Sequence, residues 1–450
     1  MITAYLLIVV WLGLFIRFRF WRRATYITFF VLMLTVLGVN FSNSTFYNEY
    51  INPGGNNETD PYNVLVSKRP YQKQDNIVIV NIGNLSRRDV ARQISILSKY
   101  GPKVIGIDTY FNCLGLPRDS VNCPQLLDTL GNIMLEKAIA DAGNVILVSK
   151  LLQKTETYMS SMNSLDSMEY SDSAFIKNAK LGYADIITNA VAQSEILKES
   201  NSFAPSYRLN DKMEYAFATQ VAMQYDSIKT KRFLSRGNEE ENINFRFNFI
   251  RGYYQKESEQ PIRALDIEDV LNEQFSADLI KDKIVLMGYL GNFFGDANAI
   301  ADMLYTPLNK TPSGRTTPDM FIIMLHANIV AMILNEDYID NQSALNSATI
   351  NFWICLLHIS LLLMVRHYKP TYFDVYATII IIAQIALISF LRKELYYLYN
   401  YRLFFDSSIA SLAIAGLAIN IYLESAPALK KATLKIFKRH NLEANENSDS

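Results

Sequence analysis

Apolar residues crowd toward the two ends of this chain. Residues 24–41 (ATYITFFVLMLTVLGVNF) carry no charge, and as a slightly short helix they can cross roughly 30 Å of hydrocarbon. Three more runs lie near the other end: ATINFWICLLHISLLLMV at 348–365, FDVYATIIIIAQIALISFL at 373–391 and LFFDSSIASLAIAGLAINIYL at 403–423. Buried core helices are the alternative, but four such runs bounded by charge clusters predict membrane spans. Residues 4–16 (AYLLIVVWLGLFI) are apolar too, but short for a span. They fit an extra short span, an interfacial helix or a continuation of the first helix. The basic cluster follows this run and no small-residue cleavage site separates it from the next, which argues against a cleaved signal peptide.

Between the spans the pattern changes. Residues 42–75 are rich in Asn, Ser, Pro and Gly and read as an irregular lead-in. IVIVNI (77–82), VIGID (104–108), VILVSK (145–150) and KIVLMG (283–288) then read as strands. Ser86 is placed to cap a helix with Asp89 three residues on, and Val90, Ile94 and Leu97 line one face of it. Residues 125–143 follow as an amphipathic helix ending at Gly143. Helices are also predicted over 213–226, 265–272 and 319–334, and a half-exposed strand over 243–250 (INFRFNFI). Residues 154–210 read as polar and irregular. Strand–helix alternation with near-continuous apolar strands predicts an α/β domain, a largely parallel sheet with helices on both faces, joined to an α-helical transmembrane bundle. The implied division is a membrane segment over 1–41, an outer domain over 42–345, three spans over 346–423 and a tail over 424–450.

Charge sets the orientation. RFRFWRR (17–23), RHYK (366–369) and KKATLKIFKRH (430–440) flank the spans, and if all three are cytoplasmic the spans alternate consistently. The stretch from about 42 to 347 then lies outside the inner membrane. Asp374 and Asp406 sit near span ends, where a carboxylate reaches the headgroups. With 43 basic and 44 acidic residues, nothing suggests nucleic-acid binding. Cys113 and Cys123, in FNCLGLPRDSVNCP, fit a disulfide in an oxidising compartment, since a zinc site would need further ligands.

Ligands of parallel sheets bind beyond the carboxyl ends of the strands. Those ends place Gly83, Asn84, Asp108, Ser149 and Gly288 on one rim. The glycine loop after Gly288 (GYLGNFFGD) lacks the Lys-Ser or Lys-Thr of a phosphate cradle, so its glycines read as turn formers. No catalytic motif, metal cluster or cofactor fingerprint is visible, and no enzyme is expected. Asp108 and Asp302 fit either a cation-binding pair or turn caps. His326, inside an apolar helix, reads as a satisfied packing residue or cap more readily than as a ligand. Charges in NEEEN (238–242) read as a solvated loop. The residues to test for ligand binding are Asn84, Asp108, Asp302 and His326.

The order of these pieces resembles the type-two CHASE sensor domains, extracytoplasmic sensory domains of bacterial histidine kinases, adenylate cyclases and related receptors. That family has one span before the domain and three after it. DKIVLMG resembles its hydrophobic run ending in glycine. Asp302 with Thr306 and Pro307 fits its Asp-then-Thr-Pro element, and His326, Ala327 and Asn328 its His-Ala-Asn element. IVIVNI, Arg88 before an alanine helix, and GPKVIGIDTYF (101–111) look like its first strand, helix and second strand. The chain departs from the family at Asn81, Gly83 and Asn84, where acidic residues are usual. It lacks the tryptophan-proline turn before the arginine, and PDMFIIML replaces the Pro-Gly-Val-Glu lead into His-Ala-Asn. The resemblance implies a membrane-anchored sensor that binds a small molecule or protein outside. About 27 residues after the last span leave no room for a kinase or cyclase, so output is expected in a separate signalling protein. The alternative is a scaffold subunit of an envelope complex. A homodimer would let subunit rearrangement cross the bilayer, though no heptad seam marks one.

Overall fold

The computed structural model describes residues 2–42, 61–112, 125, 127–152, 165–187, 199–248, 260–296, 298–300, 302–309, 317–404 and 408–425. It divides into two compact units, Asn57–Ile339 and the membrane unit Met1–Asn56 with Asp340–Ser450.

In the membrane unit the first apolar residues form two helices, α1 (Ile2–Arg17) and α2 (Arg19–Ser42). Trp11 Nε1 donates to Thr25 Oγ1 at 3.2 Å, and the Phe15 and Tyr26 rings meet edge-on at 6.0 Å. Along one straight helix, residues 11 and 25 would stand about 21 Å apart. The chain therefore doubles back at Phe18, and a continuous helix is excluded. Arg17, Arg19, Arg22 and Arg23 sit at the bend.

The other unit begins with α3 (Pro61–Ser67) and β1 (Gln74–Asn81). It continues through α4 (Arg87–Lys99), β2 (Val104–Ile107), α5 (Thr129–Ala142), β3 (Val145–Leu152), β4 (Ser167–Glu169), α6 (Ser173–Ile176) and β5 (Lys180–Tyr183). Then come β6 (Ser202–Phe203), β7 (Ser206–Leu209), β8 (Lys212–Tyr215), α7 (Phe217–Tyr225), α8 (Ser227–Leu234) and β9 (Glu241–Asn242). The last elements are β10 (Ile262–Leu265), α9 (Ile267–Leu271), β11 (Ile284–Gly288), β12 (Met303–Leu304), β13 (Met320–Phe321) and α10 (Ile322–Asn335).

The main sheet runs β10-β1-β11-β2-β3, with β4 antiparallel and β5 parallel on β3. All its other pairings are parallel. Strand residues alternate between two buried faces, as a sheet covered on both sides requires. Val78, Val80, Ile105, Ile107, Val285 and Met287 pack with Val90, Ile94 and Leu97 of α4, Leu135 and Ile139 of α5, and Val270 of α9. The opposite face meets α7 and α10. This is the predicted α/β layering. The Ser86 cap is formed, its Oγ accepting from Asp89 N at 3.3 Å, and Gly143 closes α5 in the left-handed conformation.

Several local expectations are corrected. Residues 213–215 are strand, not helix, and α7 starts only at Phe217. They belong to a β7–β8 hairpin whose turn residues Asn210 and Asp211 both have positive φ, the Asn-Asp signature of a tight primed turn. Residues 243–248 form no strand. Ile243, Phe245 and Phe247 are buried in alternation, but in place of a strand ladder the backbone makes single bonds, Ile243 N to Asn201 O at 2.9 Å and Gln72 N to Arg246 O at 2.7 Å, and otherwise bonds to side chains. Ser149 lies inside β3, opposite Tyr183, rather than at its end.

The membrane unit resumes with β14 (Asp340–Asn341) and continues with α11 (Ala344–Tyr368), α12 (Phe373–Tyr399), β15 (Tyr401–Arg402) and α13 (Ser408–Ser425). Among the described residues, four helices are long and apolar enough to span a membrane, within α2, α11, α12 and α13. The last begins later than 403, because Tyr401–Arg402 pairs with Asp340–Asn341. Ala24, Ile27 and Val31 of α2 pack with Cys355, Ile359 and Leu362 of α11 and with Ala415, Ala418 and Ile419 of α13. Small residues at such contacts let helix backbones approach. Polar cross-links add Thr35 Oγ1 to Ser411 Oγ at 3.0 Å and Arg366 Nη1 to Asn420 Oδ1 at 2.8 Å. Cys113, Cys123, Asp406 and the basic segment 430–440 lie outside the described residues.

Candidate functional site

The parallel register brings Asn81, Gly288, Ile107 and Leu265 to one end of the sheet. Asn81 is fully buried, and its carboxamide ties this rim together. Its Nδ2 donates to Asp266 Oδ1 at 2.8 Å and Gly291 O at 3.0 Å, and its Oδ1 accepts from Gly83 N and Leu290 N, both at 3.0 Å. Phe294 N donates to Asp266 Oδ2 at 2.8 Å, and Asn292 N to Asp296 Oδ2 at 3.2 Å. The amides of the glycine loop at Leu290, Asn292 and Phe294 are thus occupied by side chains of the same chain. The loop is a structural turn, with Gly291 and Gly295 at positive φ. Gly288 has a different reason to be glycine: a Cβ there would come within 2.6 Å of Ile323 Cβ, because α10 lies directly against it.

Asn84 falls on this rim, exposed, donating to Asn292 Oδ1 at 2.7 Å. Asp108 follows β2, its backbone N bonded to Met287 O at 2.8 Å. Its half-buried carboxylate has no hydrogen bond or ion pair among the described residues. Asp302, exposed just before β12, is near enough for its charge to act on Asp108. Burial first, and Asp302 second, push the Asp108 carboxyl from its ordinary 3.8 up to about 7. Among the described residues neither carboxylate caps a turn or bonds a backbone amide. Tyr110 is raised by burial and by the nearby charges of Asp185, Asp108 and Glu169. Of these, the Asp185 carboxylate is engaged, accepting from Leu151 N at 2.7 Å. Asp185 and Tyr110 were missed in the sequence, where the alternation within YADI and IDTY was the available signal.

The sign of the Asp108 effect on stability follows directly. A carboxyl whose folded pKa is raised binds its proton more tightly in the folded state, so the contribution is complete below about pH 4 and is lost as pH rises through 7. Asp108→Asn should remove that loss and stabilise the domain at pH 8 by about 2 kcal/mol, allowing for partial solvent screening. Thermal midpoints of wild type and variant at pH 5 and pH 8 measure it. An equal gain at both pH values would sink the assignment.

His326 is not on the rim. It lies 2% exposed in α10, with its ring edge-on to Phe217 at 5.1 Å. Neither ring nitrogen has a hydrogen-bond partner among the described residues, and burial holds its pKa down at about 3. It is a neutral packing residue but not a satisfied one. Asp319, whose carboxyl burial pushes up to about 6, accepts from Thr306 N at 2.8 Å and Thr306 Oγ1 at 2.6 Å. The Thr-Pro element is thereby held to the start of α10, where Ile322 N donates to Asp302 O at 3.0 Å.

Asn328 does most to fasten α10. Its Oδ1 accepts from Arg246 N at 2.9 Å and Phe247 N at 3.3 Å, and its Nδ2 donates to Phe247 O at 3.0 Å and Met324 O at 2.9 Å. A carboxamide thus pairs with the backbone of Arg246 and Phe247, inside a segment that forms no strand. Below it, Arg246 grips Asp337 through two bonds of 2.6 and 2.8 Å. Lys229 Nζ donates to Leu334 O at 2.6 Å, and Arg232 pairs with Glu336. In NEEEN, Glu241 is buried at 3% exposure and bonded to Arg236, which corrects the solvated reading of that residue.

A parallel α/β domain with a polar rim at its strand ends, preceded and followed in the chain by helices long and apolar enough to cross a membrane, fits the class of membrane-anchored extracytoplasmic domains. The CHASE2 domain model matches residues 29–366. The chain belongs to the CHASE2 domain family, a family of extracytoplasmic sensor domains, and its general role is sensory. No curated protein and no solved structure matches it.

Proposed function

We propose that the chain is a sensory or regulatory protein of the bacterial inner membrane with its α/β domain in the periplasm. It binds a small cationic molecule, or a basic group of a partner protein, at the Asp108–Asp302 rim. It passes its state through the spans to a separate output protein. The observation that carries this reading is the Asp108 carboxylate: half-buried, without a bonding partner among the described residues, and beside a second carboxylate. A cation there would offset the burial and, after it, the Asp302 repulsion that raise the Asp108 pKa. Support for the relay comes from α10, which starts at the Asp302 backbone and continues through residues 336–343 into α11. The relay requires two states that the ligand binds unequally.

The test is a thermal-shift series on the full-length protein in lipid nanodiscs at pH 7.5, with Ca²⁺, Mg²⁺ and ethylammonium as probes. A rise in midpoint with one of them, lost in Asp108→Asn, is the expected result. No rise with any would remove the rim as a cation site and favour docking over sensing. Cross-linked affinity purification from native membranes then separates a signalling partner, such as a kinase, cyclase or anti-sigma-type regulator, from envelope-assembly proteins.

A further inference from the structure

A cavity of about 950 Å³ opens between the β7–β8 hairpin, the end of α8 and residues 237–241. Its volume falls within the range of small-molecule sites, and none of the rim carboxylates lines it. Ile187, Met213 and Leu234 give it an apolar part. Arg208 on β7 lines it too, exposed and without an ion pair or hydrogen bond among the described residues. Glu239 and Glu240, on the loop after α8, are likewise exposed and unpaired among the described residues. The neighbouring Glu241 differs, its carboxylate being spent on Arg236 Nε at 2.6 Å and Asn238 Nδ2 at 2.9 Å.

We propose that this cavity binds a small zwitterion with an apolar side group, an α-amino acid or short peptide. Arg208 takes the carboxylate, Glu239 and Glu240 the ammonium, and Ile187, Met213 and Leu234 the side group. The charge arrangement selects this class. A simple cation leaves Arg208 unanswered, a simple anion meets two carboxylates, and an uncharged apolar molecule desolvates all three charges without compensation. Only a ligand with both charges and an apolar part matches every wall.

The cavity also bears on the junction to the spans. Phe233, part of its wall, meets the Tyr338 ring at 5.4 Å. The guanidinium of Arg236, held by Glu241, lies 4.7 Å from the same ring centroid. Tyr338 belongs to the stretch joining α10 to α11. Occupancy should therefore slow amide exchange at residues 336–339.

The test is isothermal titration calorimetry of the full-length protein in nanodiscs with valine, leucine, isoleucine, methionine, phenylalanine and their dipeptides. Since binding is read directly, the outcome does not depend on the rim or on any signalling output. At least one zwitterion should bind. Its amide, lacking the carboxylate, and its N-acetyl form, lacking the ammonium, should each bind roughly tenfold or more weakly. Arg208→Met, a change on an exposed side chain, should produce a similar loss for the zwitterion. Absence of binding across the panel at millimolar concentration overturns the proposal. So does an amide that binds as well as its parent, or binding that Arg208→Met leaves unchanged.

Discussion

Asn328→Leu should destabilise the α/β domain by about 4 kcal/mol, the largest effect expected of a single substitution here. Leucine nearly matches the shape of asparagine, so the packing volume is kept while four hydrogen bonds to backbone groups disappear. The amides of Arg246 and Phe247 and the carbonyl of Phe247 then lose the carboxamide that pairs with them, and buried backbone groups left unpaired each cost about 1–3 kcal/mol. The fourth bond, to Met324 O, is the least important, since that carbonyl lies within α10. Tryptophan fluorescence is a poor probe, because Trp11, Trp21 and Trp353 all belong to the membrane unit. Hydrogen exchange of residues 243–248 reports directly: Arg246 and Phe247 should change from protected to fast. Continued protection of both amides in the variant would show that the side-chain bonds are not what holds this segment.

Gly288→Ala should cost about 2–3 kcal/mol, the upper range for overpacking. The added methyl would stand 2.6 Å from Ile323 Cβ and 2.8 Å from its Cγ1. A Cβ moves only with its backbone, so relief requires the first turn of α10 to shift away from β11. A second substitution, Ile323→Ala, removes Cγ1 but leaves that Cβ in place, so rescue should be partial. A double-mutant cycle with thermal midpoints measures the coupling. Strict additivity would mean that the two positions do not meet. The same shift would disturb Asp302, whose carbonyl accepts from Ile322 N. A weaker effect of Asp108→Asn in the Gly288→Ala background would then follow.

Much of the architecture was legible because it depends on local patterns. β-Branched runs gave the parallel strands, since both faces of the sheet are covered and each strand must be apolar throughout. Ser86 with Asp89, and Gly143, marked helix ends because capping is satisfied within a few residues. The INFRFNFI segment shows where such reading stops. Its alternation predicted the burial of Ile243, Phe245 and Phe247 correctly, yet alternation says which side chains are inside, not what answers the backbone. The answer lies some eighty residues away in Asn328. Similarly, the β7–β8 hairpin was hidden in a polar stretch, although Asn210-Asp211 carried its turn signal.

Of the candidate site residues, Asn84 and Asp108 reach the rim because strand ends in a parallel sheet converge there by topology. Asp302 joins Asp108 only through the β12–β13 pairing that precedes α10. His326 and Asn328, two positions apart in one motif, separate into a packing ring and a backbone clamp because side chains at i and i+2 on a helix point to different faces.

By itself the sequence determined the spans, the sheet class and the capped helix ends, since hydropathy, periodicity and capping act over neighbouring residues. Only the tertiary structure decided that α1 folds back on α2, that Gly288 makes room for α10, that Asp108 has no partner among the described residues, and that Asn328 pairs with the backbone of Arg246 and Phe247. Those outcomes depend on which distant surfaces meet, and steric exclusion and hydrogen-bond satisfaction are settled only where they do.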